Sequence, residues 1–330
     1  MLLLILGAGA SHDCSPLPDL SKPHLARELF DKRPINLAAM QHHPVVRPII
    51  SELEDIVENN SSSIETELDR LVQESETNNA LKRQLMALRF YLREIIESVS
   101  NAALNNQGGV TSYVSLVNKL QKWQKLQKEP ICIINFNYDL LLEEALLHAG
   151  INWKVSIFDD YTKRDDFILI KPHGSINWVR WVSNPTPNQI YDPIENAHRI
   201  DLEDAAFHMS SEGFPQRQFI PVPALAVPVG HKYSFECPQV MLGKMAQILP
   251  KTTKVITIGW QGAEEHFKAA LETINNKVDL MIVTGSEEGG ARVLSNLNYL
   301  RKNRVSKFSN GFTAFVKIPE FQQFLDLEHF

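Results

Sequence analysis

Five short, largely apolar runs, each closed by a glycine or a polar residue, limit most strongly what this chain can fold into. They are "LLLIL" before Gly7, "ICII" before Asn135, "FILI" before Lys171, "VITI" before Gly259 and "VDLMIV" before Thr284. An exposed sheet face would show a polar residue at every second position. Unbroken apolar runs therefore suit strands buried on both faces of a parallel sheet. Helical stripes alternate with them: "DLLLEEALLHAG", "CPQVMLGKMAQIL", "AEEHFKAALETI" and "GGARVLSNLNYLRKN". "FTAFVKI" reads as an edge strand, and a short helix ends the pattern. The succession predicts an α/β fold, a Rossmann-like doubly wound parallel sheet in one domain over 1–330.

Two stretches interrupt the order. Over 21–128 the pattern is helical: "KPHLARELFD", "IETELDRLV" behind the cap signal of Ser61 to Ser63, "ALKRQLMALRFYLREIIESV", and "TSYVSLVNKLQKW". This predicts a large helical insertion. The proline-rich 184–230 reads as a second, loop-rich insertion.

The chain has 330 residues, enough to bury a large core. With 22% charged residues and a formal net charge of -6, it reads as a globular protein with no direct nucleic-acid role. Cys14, Cys132 and Cys237 form no CxxC pair and no zinc-finger spacing, which argues against a metal site and suits a reducing cytoplasm. "MLLLIL" has no basic residues before it and falls short of the ~18–20 residues that span a bilayer. It reads as a strand, and nothing points to a membrane.

In an open parallel sheet, ligands bind at the carboxyl ends of the strands. Four such places carry chemistry-bearing residues. Gly7-Ala8-Gly9-Ala10-Ser11 has the makings of a phosphate cradle, although His12 stands where the dinucleotide fingerprint has a third glycine, and Glu28 and Asp31 fall on a helix. An ordinary strand-to-loop turn is the alternative. Asn135, Asn137 and Asp139 follow "ICII"; Asp139 suits a helix cap, but one cap needs only one of them. His173, with Gly174 and Ser175, offers a general base at a strand end, against the plainer reading of a core histidine. Gly259 and Trp260, with Thr284, Gly285 and Ser286, offer close approach, a stacking face and a hydroxyl.

In this order the motifs resemble the sirtuin-like (silent information regulator) NAD-consuming family, especially the bacterial antiphage-defence branch that lacks zinc. "GAGAS" is similar to its nucleotide loop, "LPDL" to the proline-aspartate segment, "NFNYD" to the asparagine-x-aspartate motif, and "KPHGS" to the histidine-glycine motif. "IGW" with the downstream "EEHF" is similar to the late glycine-aromatic segment. The resemblance leaves out roughly 35–128 and 184–230.

It implies NAD+ as substrate, with Gly7, Ala8, Gly9 and Ser11 around the phosphates and Asp19 in the loop over the nicotinamide. Asn137 would place the attacking water or hold the ribose, Asp139 would order the nicotinamide pocket, and His173 would be the base, with Gly174 and Ser175 beside it. Gly259, Trp260, Thr284, Gly285 and Ser286 would line the adenosine half. Deacylating members carry a four-cysteine zinc module, which three cysteines cannot build, and Leu20 and Ser21 replace the expected phenylalanine and arginine. Both departures point away from deacylation and toward NAD+ hydrolysis. The expected role is a cytoplasmic NAD glycohydrolase that makes nicotinamide and ADP-ribose as the effector of abortive infection. Self-assembly into a homo-oligomer, or a helicase-like ATPase or Argonaute-like partner, would control it. An ADP-ribosyltransferase or cyclase, and a non-catalytic NAD or ADP-ribose sensor, are the alternatives.

Overall fold

A strand of consecutive apolar residues has no face for water, and β1 (Leu2–Leu6) meets that condition with all five side chains fully buried. Each contributes about 1.5–3 kcal/mol relative to exposure. The computed structural model of the chain describes all residues except 17–21, 60–62, 107, 156, 187–190, 204, 212–217, 229–234 and 328–330. Asp19 lies outside the described residues.

The strands are β1, β2 (Ile131–Asn135), β3 (Phe167–Ile170), β4 (Gly174–Ser183), β5 (Ala206–Met209), β6 (Phe219–Leu225), β7 (Lys254–Ile258), β8 (Val278–Val283) and β9 (Lys302–Phe308). The first helices are α1 (Ala8–His12), α2 (Pro34–His42), α3 (Arg47–Asn59), α4 (Ile64–Ser75), α5 (Asn79–Asn106) and α6 (Ser112–Gln127). The later ones are α7 (Leu141–His148), α8 (Asp159–Thr162), α9 (Gln239–Ile248), α10 (Glu265–Leu271), α11 (Glu287–Asn296), α12 (Phe312–Phe315) and α13 (Pro319–Asp326). Among the described residues, no helix is long and apolar enough to cross a membrane.

The residues form two compact units, 1–23 with 100–172 and 237–330, and 24–99 with 173–236. The first holds a six-stranded parallel sheet in the order β3-β2-β1-β7-β8-β9, the Rossmann-like α/β architecture. The chain runs outward from β1 through β2 to β3, then crosses to the other side of β1 for β7, β8 and β9. The order therefore reverses between β1 and β7, where such sheets open a crevice for ligands. Leu6 pairs with Asn135 on one side and Ile258 on the other. Gly7, Phe136 and Gly259 thus leave the sheet level with one another.

The edge strand differs from the sequence expectation. "FTAFVKI" forms the helical turn α12, whose start is fixed by Gly311 at φ 83° and by the Asp13 carboxylate accepting from the Thr313 N–H at 3.0 Å. The edge is β9, "KNRVSKF", which lacks an apolar run because most of its residues are exposed. It is held by its parallel ladder with β8 and by the Asn303 amide donating to buried Asp279 at 2.9 Å.

The second unit contains α2 to α4, residues 79–99 of α5, and an antiparallel sheet in the order β5-β4-β6. Met86 of α5 packs with Val182, Ala197 and Val222 in its core. The boundaries differ from inserts at 21–128 and 184–230. Residues 100–128 belong with the parallel sheet because α6 packs on α7 and α13. The segment read as loop-rich supplies β5 and β6. Its prolines hid the pattern: Pro221 and Pro223 pair opposite Trp181 and Val179, and β6 is an edge strand, where a missing N–H is tolerated.

Candidate functional site

The glycines after β1 answer a packing demand. A Cβ on Gly7 would stand 2.6 Å from the Gly259 carbonyl oxygen, and one on Gly9 would stand 2.9 Å from the Gly259 Cα. Gly259 is itself left-handed at φ 59°, and a Cβ there would meet the Ala10 nitrogen at 2.2 Å. The two loops meet backbone to backbone because all three residues lack side chains. The Gly7 N–H donates to Ile258 O at 3.0 Å, Gly9 N–H to Gly259 O at 3.1 Å, and Ala10 N–H to Gly7 O at 2.9 Å. The amides expected to cradle a phosphate are thus largely engaged within the protein, and Ala8 is the exposed residue of the loop.

Asn137, nearly buried, reaches this turn from the end of β2. Its Nδ2 donates to Gly7 O at 3.0 Å and to Ser11 Oγ at 2.8 Å, and lies 3.3 Å from Tyr113 Oη. Ser11 Oγ and Tyr113 Oη are 3.0 Å apart. Asn135 holds the same loop from behind, its Oδ1 accepting from the Asn137 N–H at 3.1 Å. The two asparagines therefore have separate tasks, as the spare cap suggested. Tyr113, on α6, carried no sequence signal apart from its place in a helical stripe.

Asp139 is not the N-cap of α7, which is Leu140; it stands one residue earlier, and its Oδ1 accepts from the N–H of Leu141, the first residue of α7, at 3.0 Å. Its charge also reaches the turn. Burial first, and then the Asp139 carboxylate, push the Cys14 thiol and the Tyr113 phenol far upward, so both stay protonated. The fully buried Lys171 donates from Nζ to Asp139 O at 2.5 Å and to Glu143 Oε1 at 2.9 Å, and Tyr161 Oη donates to the same Oε1 at 3.2 Å. Sequence reading gave Lys171, the first residue of "KPHGS", no role of its own and passed over Glu143. The signal was a lysine closing "FILI" and a glutamate inside "LLLEEALL".

At the late strands, Trp260 is only 2% exposed. It stacks on Phe136, sets its edge against Phe267, and donates from Nε1 to Glu264 Oε2 at 2.7 Å. The expected open stacking face is thus enclosed in an aromatic cluster. Ser286 caps α11, its Oγ accepting from the Gly289 N–H at 3.1 Å, while Thr284 Oγ1 donates to Ser286 O at 2.8 Å. Gly285 is exposed, with open space around it.

His173, Gly174 and Ser175 belong to the second unit. His173 is 7% exposed and its carbonyl accepts from Ala226 N–H at 2.9 Å. Gly174, at φ 87°, passes so close to β6 that a Cβ would meet Ala224 O at 2.0 Å, and Ser175 is fully buried. Surface cavities of about 300 Å³ beside Leu37 and Arg47, and of about 620 Å³ beside Lys163 and Lys244, include none of the expected site residues.

The first unit thus gathers Gly7, Gly9, Ser11, Asn137 and Gly259 at the reversal of strand order, with Asp139 anchored behind them. No family model and no curated protein matches the chain. Among solved structures it is similar to a Sir2 homologue mutant in complex with ADP-ribose, at 12% identity and a TM-score of 0.34, over 64% of this chain and 69% of that one. The cluster itself offers a buried amide, two neutral hydroxyls and a nearby carboxylate. That set suits positioning and charge stabilisation.

Proposed function

We propose that this chain hydrolyses NAD+ to nicotinamide and ADP-ribose. The observation that carries the reading is the Asn137 amide lying against Gly7 and Ser11, where the strand order reverses. The motif order in the sequence adds to it.

Nicotinamide leaves a cationic precursor as a neutral base, so the transition state at C1′ of the ribose resembles an oxocarbenium ion, as in glycoside hydrolysis. Such a reaction needs a water held in line, a fixed negative charge near the developing cation, and a dry site. In this reading Asn137 positions the water or the ribose. Asp139 orders the nicotinamide pocket and supplies the charge. The motif order alone adds His173 as the base for a ribose hydroxyl. The resemblance extends the reading to an antiphage effector, controlled by self-assembly or by a partner protein.

Incubation with NAD+ followed by chromatography tests the reaction type. Free ADP-ribose, lost in His173→Ala, is the expected result; cyclic ADP-ribose or a protein-linked product would move the assignment to a cyclase or transferase. Tight NAD+ binding without product would leave a sensor.

A further inference from the structure

Lys171 and Glu143 are both fully buried, and their pairing is more than an ion pair. The ammonium faces two backbone carbonyls of the β2–α7 loop, Asp139 O at 2.5 Å and Tyr138 O at 3.5 Å, as well as Glu143 Oε1 at 2.9 Å. Those carbonyls lie between Asn137 and the first residue of α7. Within the loop, Asn135 Oδ1 accepts from the Asn137 N–H and Asp139 Oδ1 from the Leu141 N–H, while the Asn137 side chain reaches Gly7 and Ser11. Glu143 is held in turn by Tyr161 of α8.

A buried ion pair is weak evidence for stability, since desolvation of both charges offsets their attraction. A hydrophobic pair of similar volume would serve packing as well. Only a cation bridges two carbonyls and a carboxylate at once. We propose that Lys171 is a positioning residue: its ammonium, oriented by Glu143 and Tyr161, fixes the 138–139 carbonyls and so holds the Asn137 amide on Gly7 and Ser11. The kinetic consequence rests on the proposed NAD+ hydrolysis; the effect on the loop does not.

Amide hydrogen exchange, read by mass spectrometry on the full chain, separates the two. The Lys171→Met/Glu143→Leu double variant removes both charges together, which avoids leaving one buried and unpaired. Exchange over 136–141 is expected to rise at least about tenfold, while the sheet strands keep their protection. Glu143→Gln, which keeps an acceptor for the ammonium, is expected to stay within about threefold of wild type over the same residues. Unchanged exchange in the double variant overturns the proposal. So does an equal rise in Glu143→Gln, which would assign the effect to the ion pair alone. If the double variant does not fold, Lys171→Met alone is read against Glu143→Gln by the same criterion. In NAD+ cleavage, a positioning role predicts a kcat at least about tenfold lower with KM within about threefold, in a double variant that melts near wild type. A double variant with wild-type kcat overturns it. A wild-type chain that cleaves no NAD+ removes the functional reading and leaves the exchange result to decide on Lys171.

Discussion

Gly259 combines a left-handed backbone with neighbours that leave no room for a side chain. Gly259→Ala is expected to lower unfolding stability by at least about 2 kcal/mol in urea titration, through backbone strain plus displacement of the Gly9–Ala10 turn. A change below about 0.5 kcal/mol would show that the two loops do not meet as described. The glycines were legible in the sequence as places where backbone comes close to a neighbour, which the sequence reading took to be a phosphate. Their partner was not, because nothing local says that residue 259 returns to residue 9. Asn137 was legible as well, although its partner Tyr113, on a distant helix, was not. Tyr113→Phe removes one hydroxyl from the Ser11–Asn137 cluster and should cost about 1 kcal/mol. Asn137→Asp sets a carboxylate against the Gly7 carbonyl and should cost more, a ranking that one set of urea titrations checks.

At the scale of elements, β1, β2, β3, β7 and β8 were readable because burial on both faces favours largely apolar runs. The start of α4 was readable too, since Ser63 Oγ accepts from the Thr66 N–H at 3.0 Å. β9 escaped because an exposed edge strand is specified by its ladder, and α12 was mistaken because its cap comes from Asp13, far away in sequence. Asp13→Ala should therefore loosen 312–326, with a loss of about 1 kcal/mol and faster amide exchange confined to that stretch. On α7, burial pushes the Glu143 carboxyl upward; Lys171 pulls it back only in part, and Asp139 adds to the rise. The folded chain thus keeps this proton to higher pH than the unfolded chain. Its contribution to stability falls as pH climbs from about 4.3, the ordinary glutamate value, through the folded one. Glu143→Gln lacks that titration. Its stability relative to wild type should rise from pH 4 to pH 7 in urea titrations, and a constant difference would contradict the assignment.

For the whole molecule, the parallel sheet followed from the order of the runs, and the division into two units did not. The sequence placed one boundary after α6 because helical stripes look alike whichever layer they cover. It gave 184–230 no strands because prolines on an edge strand resemble prolines in a loop. The central claim joins the cluster around Asn137 to one reaction, and the rate of nicotinamide release from NAD+ tests it most directly. Wild-type protein should release nicotinamide and ADP-ribose one for one. Asn137→Ala, shown by its melting curve to be folded, should be slower by about a hundredfold or more. No release by wild type, alone or with candidate partner proteins, or equal rates in the two proteins, would contradict the account.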